Sequence, residues 1–153
     1  MKLVLLVLFL AIVPVICLCQ GTSLVVWVDT SAVAKKATMT LYDSLYTPAG
    51  SFLSGDSIGS AWYGSFRPAF EQRIQDAHLM WPETTQVWID LCCDSSGKVE
   101  HVLLRSKQLK NDEFGAIFQK ELSTFVRGYV FPLRADKRYS QCGTLKFPVK
   151  GRK

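Results

Sequence analysis

The sequence predicts an α+β protein: a small antiparallel sheet, a helix before it, and a long helix packed on one of its faces. Three observations predict this class. Residues 86–93 and 143–150 alternate between apolar and polar side chains, as half-buried strands do. Residues 114–125 repeat apolar side chains every three or four positions, as an amphipathic helix does. A cluster of turn formers at 94–97 separates the first strand from a further strand at 98–105.

The first predicted strand, residues 86–93, has two distinct faces. The side chains expected to point inward are Val87, Ile89, Leu91 and Cys93, and those expected on the other face are Trp88, Asp90 and Cys92. The second strand returns as a hairpin through a turn in which Gly97 is free to adopt a positive φ. Its alternation breaks at Leu103 and Leu104, which predicts a bulge at that point.

The long helix is expected to begin with Asn111 or Asp112 as its cap, and the acidic Asp112 and Glu113 suit the positive end of the helix dipole. One wide stripe is expected to be buried, formed by Phe114, Ile117, Phe118, Glu121, Leu122 and Phe125. Gly128 is expected to end the helix and Pro132 to mark the corner after it. The third strand, residues 143–150, follows with Leu145, Phe147 and Val149 inward.

The order of these elements along the chain restricts the topology. The first strand runs up, the second runs down, the helix returns, and the third strand runs down again. The third strand is therefore antiparallel to the first and is expected beside it. The predicted order across the sheet is second, first, third, with the helix on one face.

Three segments in this region carry a family resemblance. The second strand and its exit read GKVEHVLLRSKQL (97–109), the corner after the helix reads FVRGYVFPL (125–133), and the last strand reads GTLKFPVK (143–150). With the helix between them, they resemble the C-terminal domain of TonB, TolA and their relatives. The resemblance covers about residues 67–150 and includes no catalytic motif. An unrelated α+β domain with the same order of elements is the alternative.

The chain divides into three predicted parts, which are residues 1–19, 20–66 and 67–153. The first part has one early lysine and then an uncharged stretch at 3–18, which is typical of a secretory signal peptide cleaved after Cys19. A helix of that length spans about 24 Å, less than the ~30 Å hydrocarbon core. The protein is therefore expected in the periplasm or otherwise exported. An uncleaved inner-membrane anchor is the alternative.

The second part is expected to be an N-terminal strand and loop segment. Residues 24–28 form a continuous apolar run that predicts a strand, residues 31–46 fit either a strand or a short helix, and residues 47–65 read as a loop rich in glycine and serine. A helix is predicted next at 68–80, with Pro68 in its first turn.

The sequence offers little for catalysis, cofactors or metal binding. Its two histidines are His78 and His101, and the adjacent cysteines near His101 would point to opposite faces of a strand, which argues against a metal site. No serine-nucleophile or phosphate-loop motif is present. We therefore expect no enzyme activity and no cofactor, with an exported enzyme or inhibitor as the less favoured alternative.

Charge is unevenly distributed along the chain. From residue 98 onward there are 13 basic and 5 acidic residues, whereas residues 20–97 contain 4 basic and 8 acidic ones. A basic half favours anionic partners, although ordinary solubilising charge would give the same count. Nucleic acid is not expected, because an exported protein does not meet it and no stacking motif is present.

The resemblance implies a protein-interaction module of the bacterial envelope, with a small anchored energy transducer as the alternative. In the related domains a partner segment is often captured by strand addition. Here the last strand is expected at the sheet edge, because Pro148 lacks an N–H and is tolerated only there. The partner-binding residues are then expected to be Thr144, Leu145, Lys146 and Phe147. The partner is expected to be another envelope protein, either acidic or in the outer membrane.

A disulfide between Cys92 and Cys142 is also predicted. Three cysteines remain after cleavage at residue 19, so at most one internal bridge can form. Cys92 and Cys142 share the outward face near one end of the sheet, whereas Cys93 points inward. Three reduced, packed cysteines are the alternative.

Overall fold

The computed structural model describes residues 24–28, 31–79, 81, 84–106, 108–109 and 113–148. The strands within these ranges are β1 (Val25–Trp27), β2 (Thr47–Pro48), β3 (Thr85–Cys93), β4 (Val99–Arg105) and β5 (Tyr139–Phe147). The α-helices are α1 (Ala32–Leu45), α2 (Gly55–Ala61), α3 (Arg67–Asp76) and α4 (Glu113–Arg127). The predicted signal or anchor segment lies outside the described residues.

The strands form one mixed sheet in the order β1-β4-β3-β5-β2. Its antiparallel centre, β4-β3-β5, has the predicted order. The sheet is not purely antiparallel as predicted and is larger, because β1 pairs in parallel with β4 and β2 pairs in parallel with β5. Parallel pairs join strands that are distant in sequence. The short β1 and β2 therefore left no local pattern from which to predict their partners.

The β3–β4 hairpin forms as predicted, with one difference of register. Gly97 has a φ of 90° in the turn, and Asp94 caps the turn by accepting the backbone N–H groups of Ser96 (2.8 Å) and Lys98 (3.0 Å). The ladder shifts between the pairs Cys92–His101 and Cys93–Val99. The extra residue is therefore Glu100, and the bulge predicted at residues 103–104 was wrong.

The break in alternation at residues 103–104 has another cause. Leu103 and Leu104 point to opposite faces of β4, and both are buried. The sheet is thus covered on each side at this point, so neither face needed a polar residue. We call the face that carries Val87, Ile89 and Leu91 the core face, and the face that carries Trp88, Asp90 and Cys92 the outer face.

The core face packs against α3 and α4 through aromatic contacts. The ring centroids of Phe70 and Phe118 are 5.5 Å apart, and those of Phe118 and Phe147 are 5.7 Å apart. The buried residues of α4 are Gly115, Phe118, Leu122 and Val126. The predicted stripe is therefore rotated slightly, and Ile117 is 37 % exposed rather than buried. Asn111 and Asp112, the expected caps, lie outside the described residues.

The region before α3 is more ordered than the sequence indicated. Residues 31–46, which fitted either a strand or a helix, contain α1. The loop predicted at 47–65 contains β2, α2 and most of a π-helical turn, Trp62–Phe66, from which Trp62 and Phe66 enter the core. Residues before and after position 67 thus share one sheet and one core. The helix α3 ends at Asp76, earlier than the predicted residue 80.

The last strand begins earlier than predicted, at Tyr139 rather than Gly143, and ends at Phe147. Val149 and Lys150 lie outside the described residues. The nine pairs between β3 and β5 run without a register shift from Thr85–Phe147 to Cys93–Tyr139. Among the helices of the described ranges, none combines the length and the apolar character needed to cross a membrane.

Candidate functional site

The candidate site is the side of β5 that faces away from β3. On this side β2 pairs only with Tyr139 and Ser140. In the part of the chain that the structure describes, no strand pairs with the rest of β5 on this side. We call residues 141–147, seen from this side, the open edge.

The register identifies which backbone groups of the open edge point outward. The Thr47 N–H donates to the carbonyl oxygen of Arg138 at 3.2 Å, so Arg138 turns its backbone groups toward β2. Outward and inward groups alternate along a strand, and the β3–β5 ladder has no shift. The backbone N–H and C=O groups of Cys142, Thr144 and Lys146 therefore also point outward.

One of these outward groups is already satisfied within the chain. The side-chain Nε2 of Gln141 donates to the carbonyl oxygen of Cys142 at 2.6 Å. Beyond the other end of the strand, Pro148 has no N–H to offer. Within the described ranges, the residues of the open edge whose outward donor and acceptor both have no partner are thus Thr144 and Lys146.

The open edge is held firmly from the core side. Leu145 and Phe147 are fully buried. The Trp81 ring stacks on Phe147 with centroids 4.2 Å apart and an interplanar angle of 7°. A partner strand would therefore meet a backbone that is already fixed in an extended conformation, which lowers the entropy cost of pairing.

Among the residues that the structure describes, the end of α1 covers one end of the outer face. Four buried apolar residues lie outside the main core, which are Val28, Tyr46, Cys92 and Leu103. Tyr42 of α1 contacts His101 edge-on, with ring centroids 5.5 Å apart. The bulged Glu100 accepts the Tyr46 hydroxyl (3.0 Å) and an Arg138 guanidinium N–H (3.1 Å). These bonds tie the end of α1 to the sheet.

Beyond α1, the outer face carries an exposed indole. Trp88 is 45 % exposed, and the guanidinium carbon of Arg105 lies 5.8 Å from its ring centroid. Arg105 is itself held by Asp90, with a guanidinium nitrogen 2.8 Å from one carboxylate oxygen. Burial raises the pKa of Asp90, and the neighbouring Arg105 only partly offsets this effect.

Cys92 and His101 lie directly opposite each other, the one pair in the described chain with the residue types of a thiol nucleophile and its base. Cys92 is fully buried, and burial together with nearby acidic groups raises the pKa of its thiol. A reactive cysteine requires a lowered pKa and access to solvent. The arrangement therefore does not favour nucleophilic catalysis.

The register bears on the predicted disulfide. Cys92 pairs with Ser140, and Cys142 pairs with Asp90, so the two cysteines are diagonal neighbours on the outer face. Diagonal Cα atoms are about 7–8 Å apart, beyond the range of about 4.4–6.8 Å typical of disulfides. Cys92, Cys93 and Cys142 are free thiols in this structure. The two cysteines thus share the outer face as predicted but are not directly opposite, and the bridge itself stays a prediction.

No protein-family model, curated protein or solved structure matches this chain. The resemblance to the TonB and TolA domains therefore rests on the sequence motifs alone.

The four predicted binding residues lie next to one another in β5, but they have two different roles. Thr144 and Lys146 present the open backbone groups, whereas Leu145 and Phe147 are buried anchors of the strand. The sequence reasoning missed Gln141 and Arg105. Their signals were weak, since a polar residue within a strand and a basic residue at a strand end usually face solvent.

Proposed function

We propose that this protein is a non-catalytic binding module of the cell envelope that takes up an extended segment of a partner protein as an additional strand beside residues 144–147. The observation that carries this proposal is the early end of β2 at Pro48, which leaves Thr144 and Lys146 with outward backbone donors and acceptors. An exposed strand edge is a template for pairing with another chain.

The central sheet supports the same proposal by analogy. The order β3-β4-α4-β5 along the chain is the strand-strand-helix-strand order that accompanies the motifs of the TonB and TolA resemblance. The buried, high-pKa Cys92 thiol argues for binding rather than catalysis.

The proposed location follows from residues 1–19. We expect the mature protein to begin at Gln20 in an exported compartment, and intact-mass measurement of protein from the native host tests this expectation. A mass that retains residues 1–19 would favour the inner-membrane anchor instead.

Site-specific photo-crosslinking in the native host tests the binding mode. Gln86 is exposed and lies opposite Lys146, so a long photo-reactive side chain at position 86 reaches an added strand about two strand spacings away, ~9–10 Å. We expect a covalent adduct with one partner protein on irradiation.

A backbone substitution makes the experiment specific. Thr144→Pro removes an outward N–H without removing a bond to β3, and edge strands tolerate proline. It is expected to abolish the adduct, whereas Thr144→Val, which keeps the N–H, is expected to preserve it. An adduct that survives Thr144→Pro in a folded protein, or no adduct in any variant, would contradict strand addition at this edge.

A further inference from the structure

On the outer face, side chains that lie directly opposite one another on neighbouring strands form rows across the sheet, and these rows end at the open edge. One row consists of Arg105, Trp88 and Thr144, which are directly opposite one another on β4, β3 and β5. The next row contains Gln86 and Lys146. A strand added to β5 would extend both rows by one residue each, and those two residues would be two positions apart in the partner.

The two cations near this edge differ in their availability. Arg105 is paired with the buried Asp90 carboxylate. Lys146 is exposed, and among the residues that the structure describes none forms an ion pair with it. The amino group of Lys146 is therefore the unpaired charge that an incoming side chain in the second row would meet.

The first row ends at Thr144, beside the exposed indole of Trp88. Thr144 is small and half-buried, and the exposed Trp88 indole lies next to it on the same face. Aromatic and β-branched side chains pair favourably across neighbouring strands, and long ones reach one strand further. A large side chain beside Thr144 would cover both residues.

We infer that the segment bound at the open edge is acidic and alternating, with a carboxylate beside Lys146 and, two residues away, an aromatic side chain that lies over Thr144 and reaches Trp88. This inference rests on the proposed strand addition. The charge balance of the chain favours the same partner, because the residues from 98 onward include 13 basic and 5 acidic ones. Like charges placed directly opposite each other destabilise a strand pair, so a basic residue beside Lys146 would be disfavoured.

A tethered segment tests this chemistry before any natural partner is identified. The full chain is extended after Lys153 by a flexible glycine-serine linker and the segment Thr-Val-Glu-Val-Tyr-Val-Thr, which can fold back antiparallel to β5 so that Glu meets Lys146 and Tyr meets Thr144. Tethering makes the pairing intramolecular, at an effective concentration on the order of millimolar. The readout is residue-resolved amide exchange at Thr144 and Lys146.

We expect the Glu segment to slow exchange at both amides, and a matched segment with Lys in place of Glu to protect them about fivefold less. In the Lys146→Glu variant this preference is expected to reverse, which separates charge recognition from any effect on folding. In the wild type, the segment with Tyr is expected to protect both amides more than a segment with Thr at the same position. Trp88→Ala is expected to remove this difference.

The outcomes separate the two proposals. Equal protection by the Glu and Lys segments, or no reversal in Lys146→Glu, would overturn the acidic preference while leaving strand addition intact. An unchanged advantage for Tyr in Trp88→Ala would overturn the aromatic contact. No protection by any segment would overturn strand addition itself.

Discussion

The indole of Trp62 lies so close to Gly143 that a methyl group built on this glycine would be 2.0 Å from two of the ring carbons. Trp62 comes from the π-helical turn before α3, and Gly143 lies in the middle of β5. A glycine within a strand often marks such a close approach. This contact joins the N-terminal part of the chain to the strand that carries the open edge.

The first prediction concerns this contact. Gly143→Ala is expected to destabilise the protein by about 1–3 kcal/mol, because the added methyl group overpacks the site. Chemical denaturation measures the change in the free energy of unfolding. Gly59→Ala is the matched control: no heavy atom lies within 4 Å of its added Cβ, and alanine favours the helix there by ~0.5–1 kcal/mol. Equal effects of the two substitutions would contradict the described packing.

The second prediction uses two neighbouring residues of α4. Phe118 is fully buried and Ile117 is 37 % exposed. Phe118→Ala is expected to cost ~3–5 kcal/mol through lost burial and a cavity. Ile117→Ala is expected to cost less than about 1.5 kcal/mol, since little buried area is lost. Unfolding in urea measures both values, and a larger loss for Ile117→Ala would mean that the helix is rotated from its described position.

The third prediction concerns the thiols. Cys142 is exposed, whereas Cys92 and Cys93 are buried, and burial raises the pKa of Cys93 to about 12. Under native, reducing conditions we expect an alkylating reagent to label Cys142 and to spare the other two until denaturant is added. Peptide mapping reports the labelled sites.

The same mapping tests the disulfide under oxidising conditions. A Cys92–Cys142 bridge in protein purified from the native host would show that the two strands shift to bring diagonal neighbours together. Three free thiols would reject the bridge.

The fourth prediction is a pH dependence that arises from Asp90. Burial raises the pKa of Asp90 in the folded state above its unfolded value, so the folded state binds the proton more tightly. The contribution of Asp90 to stability is therefore full below the unfolded pKa, near 4, and is lost as the pH rises through the folded pKa. Asp90→Asn does not titrate, so the wild type should lose stability relative to this variant as the pH rises above about 4. The opposite trend would mean that the Arg105 ion pair outweighs burial.

Local pattern was sufficient for the central part of the fold. Alternation at residues 86–93, the Gly97 turn and the apolar stripe around Phe118 each predicted an element that the structure contains. The order of β4, β3 and β5 followed from their sequence alone, because short connections leave few topologies. The last strand was predicted at the sheet edge from Pro148; β2 is in fact the outermost strand, and only residues 141–147 of β5 lie beyond its pairing.

The tertiary structure decided what local pattern left open. Residues 31–46 fitted two kinds of element, and contacts such as that between Tyr42 and His101 place α1 against the outer face. The parallel strands β1 and β2 depend on partners far along the chain. The length of the open edge follows from the end of β2 at Pro48, which no feature of β5 itself could have indicated.

The sequence by itself thus determined the alternating faces of the central strands, their order, and the residue types near the candidate site. The tertiary structure decided the register between the strands and which parts of the sheet a helix covers. The bulged residue Glu100 places Cys93 opposite Val99 on β4, and the register of β5 places Cys142 opposite Asp90 rather than Cys92. The physical reason is that a strand specifies which residues share a face through its own period of two. Which residue lies opposite, and whether a helix covers it, depends on segments that are distant in the chain.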